Sequence, residues 1–435
     1  MFGNMTAFLK AYIPRKGSFF ANVLTLMTGT ALGQGLALAA APLLTRLYSP
    51  EDFGTLAVYV SISAILVSLA SLRYDWAILL PEDNQVAANL LVLCFAILLA
   101  MTLLTGLGLL VIKDPLLHWI NAPGLSPYLW LVPFSLVAAG AYQILSNWAI
   151  RQKAFGRLAR TKLSQGLGRA LTQVGLGLLN LRPMGLLIGD VIGRAGGGAT
   201  LAALAWRQEG EALKSVTPSG IWAAARRYRR FPIFSGASTL LNAATPQVPI
   251  LMLSAFYGAQ VVGWFSLGQM VIAVPMSLIT MSGSQVFRAE AARLVHTDPR
   301  ALKRKFYRAA QRLMLGTLPI AFLALISPWV MAPVFGEKWR VAGVYTQALT
   351  PMFITQFVAV PISHLTIHEL QDWELFWDLG RLVLTFGVFY LAHRLSYTPR
   401  GLLFLYSLSM SLGMISLYIL NVQAIKRKIR HADTA

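Results

Sequence analysis

The stretch AANLLVLCFAILLAMTLLTGLGLLVI, residues Ala87–Ile112, contains no charged side chain. About 20 apolar residues in a helix are enough to cross the hydrocarbon core of a bilayer. Within lipid, only helices and closed barrels satisfy their own backbone polar groups, and an uninterrupted run of this length predicts a helix. Eleven further apolar stretches accompany it: Phe19–Leu44, Gly54–Ser71, Tyr128–Ile150, Gln165–Leu181, Met184–Trp206, Phe231–Phe256, Val261–Phe287, Leu313–Phe335, Val341–Thr366, Phe376–Leu391 and Leu402–Val422.

The composition of the whole chain agrees with this pattern. Hydrophobic residues make up 56% of the sequence and charged residues only 12%, and the mean hydropathy is +0.60. A soluble globular domain has about twice that charged fraction. The sequence therefore predicts an all-α polytopic membrane protein with about twelve transmembrane helices.

The net charge of +20 is distributed unevenly between the gaps. Most of the 37 Lys and Arg residues lie in every second gap, counted from the N-terminus. Short cytoplasmic loops of membrane proteins are enriched in Lys and Arg, so this distribution predicts that both termini are cytoplasmic. The charge is therefore a topology signal, with attraction to anionic lipid headgroups as a further contribution. A nucleic-acid partner is not expected.

The sequence lacks the residues that several other functions would need. The single cysteine, Cys94, permits no intramolecular disulfide. His364 and His368 have helical i, i+4 spacing, but no third metal ligand accompanies them. No gap is long enough for a soluble catalytic domain. We expect no enzymatic activity, no metal and no cofactor.

An internal repeat suggests that the chain is duplicated. When Tyr48 is placed on Tyr257, the segments Gly29–Gly54 and Ser238–Gly263 align without gaps, and Gly54 falls on Gly263. Two lobes follow, an N-terminal lobe of residues 1–206 and a C-terminal lobe of residues 207–435, each with six spans. Parallel repeats of this kind often carry out alternating-access transport, with the site between the halves near the membrane midplane.

Three basic residues, Arg169, Arg194 and Arg381, lie inside the apolar stretches. A charge at the centre of a span costs on the order of 2.5–3.5 kcal/mol, so such residues usually face a cavity or a partner. Asp190 precedes Arg194 by four residues and Asp378 precedes Arg381 by three, which favours pairing. Two interpretations stay open: a cationic cavity beside titratable carboxylates, or internal ion pairs that only lower the insertion cost. Arg169 and Arg381 are also close enough to a span end to snorkel.

Other polar residues have a simpler explanation available. Arg73 and Asp75 follow the second stretch, where interfacial anchoring accounts for them and a role at a substrate entrance is the alternative. Asn242 and Gln247 lie in the seventh stretch, where helix–helix hydrogen bonds are the default. Those two residues become candidates for a substrate path because the first helices of the two halves would line the cleft.

The sixth stretch contains Gly185, Gly189, Gly193 and Gly197 at strict four-residue spacing. This spacing places the glycines on one helix face, where another helix can approach closely. We interpret the stripe as a packing surface. The Gly196–Gly198 run lacks the preceding strand and the Lys-Ser/Thr pair of a phosphate-binding loop.

Several motifs together resemble one family. These motifs are LTRLYSPEDFG (Leu44–Gly54), RYDWAILLP (Arg73–Pro81), YRRFPIFS (Tyr228–Ser235), PQVPILMLS (Pro246–Ser254), VGWFSL (Val262–Leu267) and VPMSLI (Val274–Ile279). With them, the chain resembles the polysaccharide transporter family, the O-antigen and capsule-type lipid-linked oligosaccharide flippases of the MOP exporter superfamily.

The resemblance implies two six-helix bundles, a cationic central cavity and translocation of undecaprenyl-pyrophosphate-linked sugar units across the bacterial inner membrane. Membrane lipids and polysaccharide polymerase or assembly proteins would be its partners. The motifs do not decide which arginines line the cavity. Our candidate substrate-binding residues are Arg194, Arg73, Arg169, Arg381, Asn242 and Gln247, and our candidates for coupling are Asp190, Asp378 and Asp75. A peptidoglycan-precursor flippase and a multidrug or cation antiporter of the same superfamily are the alternatives.

Overall fold

The computed structural model describes residues 19–368 and 370–434, and its regular elements in these ranges are all helical. We number the α-helices in chain order. They are α1 Phe19–Leu47, α2 Pro50–Val67, α3 Tyr74–Ala77, α4 Asn84–Trp119, α5 Leu131–Arg151, α6 Phe155–Leu178, α7 Met184–Ala195, α8 Gly198–Lys214, α9 Pro218–Arg227, α10 Gly236–Ala244, α11 Val248–Tyr257, α12 Ala259–Thr297, α13 Pro299–Phe335, α14 Arg340–Ala359, α15 Gln371–Arg394 and α16 Pro399–Thr434.

Shorter helical turns connect some of these helices. Three 3-10 turns are Pro123–Tyr128, Glu337–Trp339 and Leu365–His368, and a π-helical turn occupies Phe231–Ser235. Within the described ranges, seven helices are long and apolar enough to cross a membrane, and an eighth span results if α10 and α11 are counted as one bent unit. The all-helical membrane fold is thus confirmed. The count of twelve spans and the cytoplasmic termini stay predictions.

The structure corrects the predicted boundaries at three places. The sixth stretch is not one helix, because the chain breaks at Gly196–Gly197 between α7 and α8 and Gly197 has a φ of 83°. The seventh stretch bends by 46° between α10 and α11. Helix α6 begins at Phe155, ten residues before the predicted Gln165. A positive φ favours glycine, and the Gly196–Gly198 run supplies the break that hydropathy alone does not reveal.

The basic segment between the eighth and ninth stretches is helical rather than a loop. Helix α12 continues to Thr297, and α13 starts at Pro299. Asp298 caps the second helix, because its Oδ1 accepts the Ala301 amide at 2.8 Å and Pro299 occupies the first turn. This is a favourable N-terminus, since proline needs no donor there. The long basic helices therefore extend well past their apolar parts.

Side chains cap the turn between α1 and α2. The Ser49 amide donates to Asp52 Oδ2 at 2.8 Å, and the Asp52 amide donates to Ser49 Oγ at 3.1 Å. This reciprocal pair is a capping box with Pro50 in the first turn of α2.

The chain forms two compact units. The first contains the chain up to Leu47, Tyr59–His118 and Pro123–Ala244, and the second contains Tyr48–Val58, Trp119–Ala122 and the chain from Thr245 onward. In the first unit, α4 and α5 surround a buried core that includes Cys94 and Trp148. The second unit has a core around Phe306, on α13. The division into lobes 1–206 and 207–435 stays a prediction.

Glycines allow close helix contacts in both units. In the second unit, a Cβ on Gly54 would lie 1.7 Å from the Ala259 carbonyl oxygen, and one on Gly263 would lie 1.8 Å from the Pro50 carbonyl oxygen. The two glycines matched by the internal repeat therefore meet where α2 crosses α12. In the first unit, Gly29 of α1 contacts α6 in the same way at Ala159.

The glycine stripe of the sixth stretch packs against α6 as predicted. Close contacts join Gly189 to Gln173, Gly193 to Arg169 and Gly197 to Thr161. The partner residues on α6 are separated by four or eight positions, so they follow one face of that helix. This packing brings the Arg169 and Arg194 side chains to one side of the first unit.

Candidate functional site

The first unit contains a cavity of about 750 Å³. Uncharged residues of α1 and of the end of α2 line one side. The polar wall, which holds all of the charged lining residues, comes from α5, α6, α7 and from α3 with the residue before it. The polar lining residues that matter most are Arg73, Gln143, Asn147, Lys162, Arg169 and Arg194.

Four cations lie along this polar wall. Arg73 immediately precedes α3, Lys162 and Arg169 are on α6, and Arg194 is on α7. Three of them, Arg73, Arg169 and Arg194, were predicted as substrate-binding candidates, and the structure brings them together in one cavity. Their predicted role in binding stays a prediction.

Lys162 is the cation that the sequence analysis missed. Hydropathy places it in a gap, because the apolar part of the fifth stretch starts at Gln165. In the structure it faces the cavity together with Gln165, Gly166 and Arg169. The spacing of these residues, i, i+3, i+4 and i+7, is one face of a helix, so the signal was present in the sequence.

Asp190 is shared by two of the arginines. Its Oδ1 accepts from Arg169 Nη2 at 2.7 Å, and its Oδ2 accepts from Arg194 Nε at 2.5 Å. The Asp190 side chain is only 3% exposed, whereas Arg194 is 15% and Arg169 40% exposed. The predicted Asp190–Arg194 pair is present, and Arg169 joins it from the neighbouring helix.

Arg73 and Lys162 have no carboxylate partner among the described residues. Each contacts an aromatic ring instead: the Arg73 guanidinium lies 4.5 Å from the Trp76 ring centroid, and Lys162 Nζ lies 4.7 Å from that of Tyr142. Such cation–π contacts orient a cation but leave its charge available. Arg73 also has a φ of 68°, a left-handed conformation that is costly for a residue with a side chain and is typical of functional sites.

Asp75 is fully buried beside the same wall. Its carboxylate accepts three hydrogen bonds, from Ser71 Oγ at 2.6 Å, Gln143 Nε2 at 2.9 Å and Asn147 Nδ2 at 2.8 Å. No cation pairs with it in the described part of the chain. Its charge is thus stabilised by neutral donors alone.

Arg381 lies in a different cavity, of about 220 Å³, inside the second unit. Its Nη2 donates to Asp378 Oδ1 at 3.0 Å, and its guanidinium lies 4.7 Å from the Trp377 ring centroid. The predicted Asp378–Arg381 pair is therefore present, but it is not part of the cavity that holds the other three arginines.

Asn242 and Gln247 do not line either cavity. Asn242 is exposed on α10, and Gln247 precedes α11 at the bend.

The predicted coupling role of Asp190, Asp378 and Asp75 stays a prediction. All three carboxylates accept hydrogen bonds from neighbouring side chains.

The charges of the large cavity favour an anion. Four cations face two carboxylates, Asp190 and Asp75, and both carboxylates are committed to neighbouring donors. Guanidinium and ammonium groups are the side chains that proteins use for phosphate oxygens. In the described ranges, no three His, Cys, Asp or Glu side chains are grouped as a metal site.

The apolar helices define a multi-pass membrane protein. The chain belongs to the family described as polysaccharide biosynthesis protein, whose model matches residues 43–343. This match covers more than half of the chain, so the predicted resemblance to a polysaccharide family is confirmed.

Two characterised relatives carry names from polysaccharide pathways. The chain is 25% identical over 324 residues to the succinoglycan biosynthesis transport protein ExoT of Rhizobium meliloti, covering 71% of this chain and 60% of that protein. It is 23% identical over 156 residues to the teichuronic acid biosynthesis protein TuaB of Bacillus subtilis, covering 35% of this chain and 32% of that protein. The matched region thus spans less than two thirds of either relative.

Solved structures show the same fold. An inward-facing multidrug resistance MATE family transporter of the MOP superfamily aligns with a TM-score of 0.59 at 15% identity, covering 98% of this chain and 99% of that one. A MOP superfamily transporter from Pyrococcus furiosus aligns with a TM-score of 0.55 at 15% identity, covering 94% of this chain and 96% of that one. At such identities the likeness concerns the fold alone.

Proposed function

We propose that this protein is a flippase that moves undecaprenyl-pyrophosphate-linked oligosaccharide units across the bacterial inner membrane by alternating access. The observation that carries this proposal is the pair of cations, Arg73 and Lys162, that face the large cavity without a carboxylate partner among the residues that the structure describes. A doubly charged diphosphate would supply the missing anion. Arginine can bind its oxygens through two parallel N–H donors, and lysine adds a compact charge.

The Asp190 cluster fits the same ligand. Because Asp190 holds Arg169 and Arg194 from two helices, their guanidinium groups are oriented before the ligand arrives. An oriented site loses less entropy on binding. The aspartate also offsets part of the cost of placing two arginines within an apolar bundle.

The names of the relatives support a sugar polymer as the cargo. ExoT is named for succinoglycan transport and TuaB for teichuronic acid biosynthesis. Repeat units for such polymers need a carrier lipid to reach the membrane, and the carrier diphosphate is the group that the cationic cavity would bind. We place the protein in the inner membrane as a transporter without enzymatic activity, working with membrane lipids and polysaccharide polymerase or assembly proteins.

A multidrug or cation antiporter is a weaker candidate for this cavity. A cationic substrate would meet the four cations of the lining, which outnumber the two neighbouring carboxylates, Asp75 and Asp190. A peptidoglycan-precursor flippase would use the same diphosphate chemistry, so only the identity of the sugar distinguishes it.

The test is export in the native host. The chromosomal copy is replaced by variants, and the lipid-linked oligosaccharide that accumulates on the cytoplasmic leaflet is extracted and identified by mass spectrometry. We expect the double variant Arg73→Gln, Lys162→Gln to reduce export at least about tenfold, because each charge-assisted hydrogen bond contributes about 1.5–3 kcal/mol. The accumulated glycan would distinguish a polysaccharide repeat unit from a peptidoglycan precursor.

Arg182→Gln is the matched control, since it removes one positive charge from an exposed turn away from the cavity. Export by this variant should equal that of the wild type at equal abundance in the membrane. Normal export by the double variant, or an unchanged lipid-linked glycan pool in a deletion strain, would overturn the proposal.

A further inference from the structure

We propose that Asp75 is a positioning residue for sugar recognition. It holds the amides of Gln143 and Asn147 so that their carbonyl oxygens accept hydrogen bonds from hydroxyl or N–H groups of the sugar attached to the diphosphate. This inference rests on the function proposed above. It assigns a second recognition element to the same cavity, distinct from the cations that would bind phosphate.

The contacts around Asp75 determine the orientation of both amides. A carboxylate has no hydrogen to donate, so each amide must turn its NH2 group toward it. Gln143 Nε2 and Asn147 Nδ2 do so at 2.9 Å and 2.8 Å, both reaching the same oxygen, Asp75 Oδ2. Ser71 supplies the third donor, to Oδ1. An amide cannot flip here without placing its own oxygen against the carboxylate.

The amide oxygens are the free ends of these side chains. Gln143 and Asn147 both line the large cavity, and in the described ranges no hydrogen-bond donor is paired with Gln143 Oε1 or Asn147 Oδ1. Neither oxygen is buried, so both remain accessible to a ligand. The polar wall therefore offers two acceptors of fixed orientation.

The placement of these acceptors suits a ligand with a charged and a neutral part. Gln143 and Asn147 are four residues apart on α5, so they lie one helical turn apart on one face. Arg73 and Lys162 line the same cavity. Cations would bind the diphosphate, which has only acceptors, whereas amide oxygens would bind sugar hydroxyls, which can donate.

This role also explains why a carboxylate is kept beside a site for an anion. An aspartate at position 75 weakens the attraction of the cavity for phosphate. Its burial and its three neutral donors indicate that its contacts are directed at the protein rather than at the ligand. An apolar residue at this position could not orient either amide, because it has no oxygen to accept their NH2 groups.

The experiment compares two ligands on the full-length protein in lipid nanodiscs. Equilibrium binding of undecaprenyl diphosphate and of undecaprenyl diphosphate bearing one hexose is measured by native mass spectrometry. We expect the wild type to bind the glycosylated ligand at least about tenfold more tightly, a difference of about 1.4 kcal/mol. Asp75→Leu, which has no acceptor for either amide, should bring this ratio close to one while affinity for the bare diphosphate stays equal or increases.

Two further variants separate positioning from folding. Ser71 donates to Asp75 but does not line the cavity. The preference for the glycosylated ligand should therefore persist in Ser71→Ala. Asn147→Leu removes one acceptor while Asp75 stays in place, and the preference should fall. This second variant keeps the inference testable if Asp75→Leu does not fold.

The outcomes differ for the inference and for the proposed function. An undiminished preference in Asp75→Leu, or an equal loss of affinity for both ligands in the variants, would overturn the positioning role. Equal binding of the two ligands by the wild type would overturn it too, while the flippase proposal would stand. A wild type that binds neither diphosphate would overturn both.

Discussion

A single carboxylate, Asp190, holds two guanidinium groups that come from different helices. Removing one partner of a buried ion pair is more costly than removing the pair, because the remaining charge is left without compensation. The three members of this cluster should therefore not contribute equally. Substitution of Asp190 removes the ion-pair partner of two arginines, whereas substitution of either arginine leaves Asp190 paired with the other.

We predict that Asp190→Asn destabilises the protein by on the order of 3 kcal/mol, because Arg169 and Arg194 are then left without a counter-charge. Arg194→Gln should cost about 1 kcal/mol, since Asp190 keeps its contact with Arg169. Thermal unfolding in detergent micelles measures both effects. Equal unfolding temperatures for the two variants would contradict the shared-carboxylate arrangement.

For individual residues, the sequence predicted the ion pairs within one helix better than it predicted the full set of cations that line the large cavity. Asp190–Arg194 and Asp378–Arg381 were found from helical spacing, because partners within one helix are close in sequence. Arg169 joins Asp190 through the contact between α6 and α7, which no local spacing reveals. The apolar part of α6 starts at Gln165, so hydropathy alone places Lys162 outside the span. The polar face of α6 nevertheless includes Lys162.

At the scale of helices, the crossing of α2 and α12 depends on two glycines. Each would place a Cβ less than 2 Å from a carbonyl oxygen of the other helix. Backbone atoms cannot move aside as flexible side chains do, so a methyl group at either position must push the helices apart. The sequence repeat paired Gly54 with Gly263, but only the structure shows that they meet.

We predict that Gly54→Ala destabilises the protein by about 3 kcal/mol, at the upper end of overpacking effects. Gly35→Ala is the matched control, because it makes the same change in helix α1 where a Cβ would meet no neighbour. This control should be neutral or stabilising, since alanine is the better helix former. Thermal unfolding and membrane abundance are the measurements, and equal behaviour of the two variants would contradict the close crossing.

Hydropathy does not predict the break between α7 and α8. Apolar composition continues through Gly196–Gly198, so the sixth stretch reads as one span. The positive φ of Gly197 ends α7, and a Cβ there would lie 2.4 Å from Thr161 Cβ. Backbone conformation and close approach are tertiary features, which is why hydropathy predicted the position of this segment but not its shape.

For the molecule as a whole, composition was the most informative property. A low charged fraction and repeated apolar stretches were enough to predict a helical membrane fold, and the comparisons confirm it. They do not establish which loops face the cytoplasm. The alternation of basic residues predicts that Arg308 lies on the cytoplasmic side and Arg400 on the opposite side.

This topology can be tested with single cysteines. The natural Cys94 is buried, so it should stay unreactive in the folded protein. We predict that a membrane-impermeant maleimide labels Arg400→Cys in intact cells and labels Arg308→Cys only after the membrane is opened. Both side chains are exposed, so access to the reagent is decided by the membrane. Labelling of both in intact cells would contradict the predicted orientation.

Helix α6 has a consequence for the rate at which a ligand is captured. Its first turns carry the exposed residues Arg157 and Arg160, and the same helix continues into the cavity with Lys162 and Arg169. Positive charge thus extends from an exposed helix end to an interior wall, and such a gradient attracts anions over distances comparable to the Debye length. Added salt should slow association far more than it speeds release, because screening acts on the approach while the interior contacts are shielded from the solution.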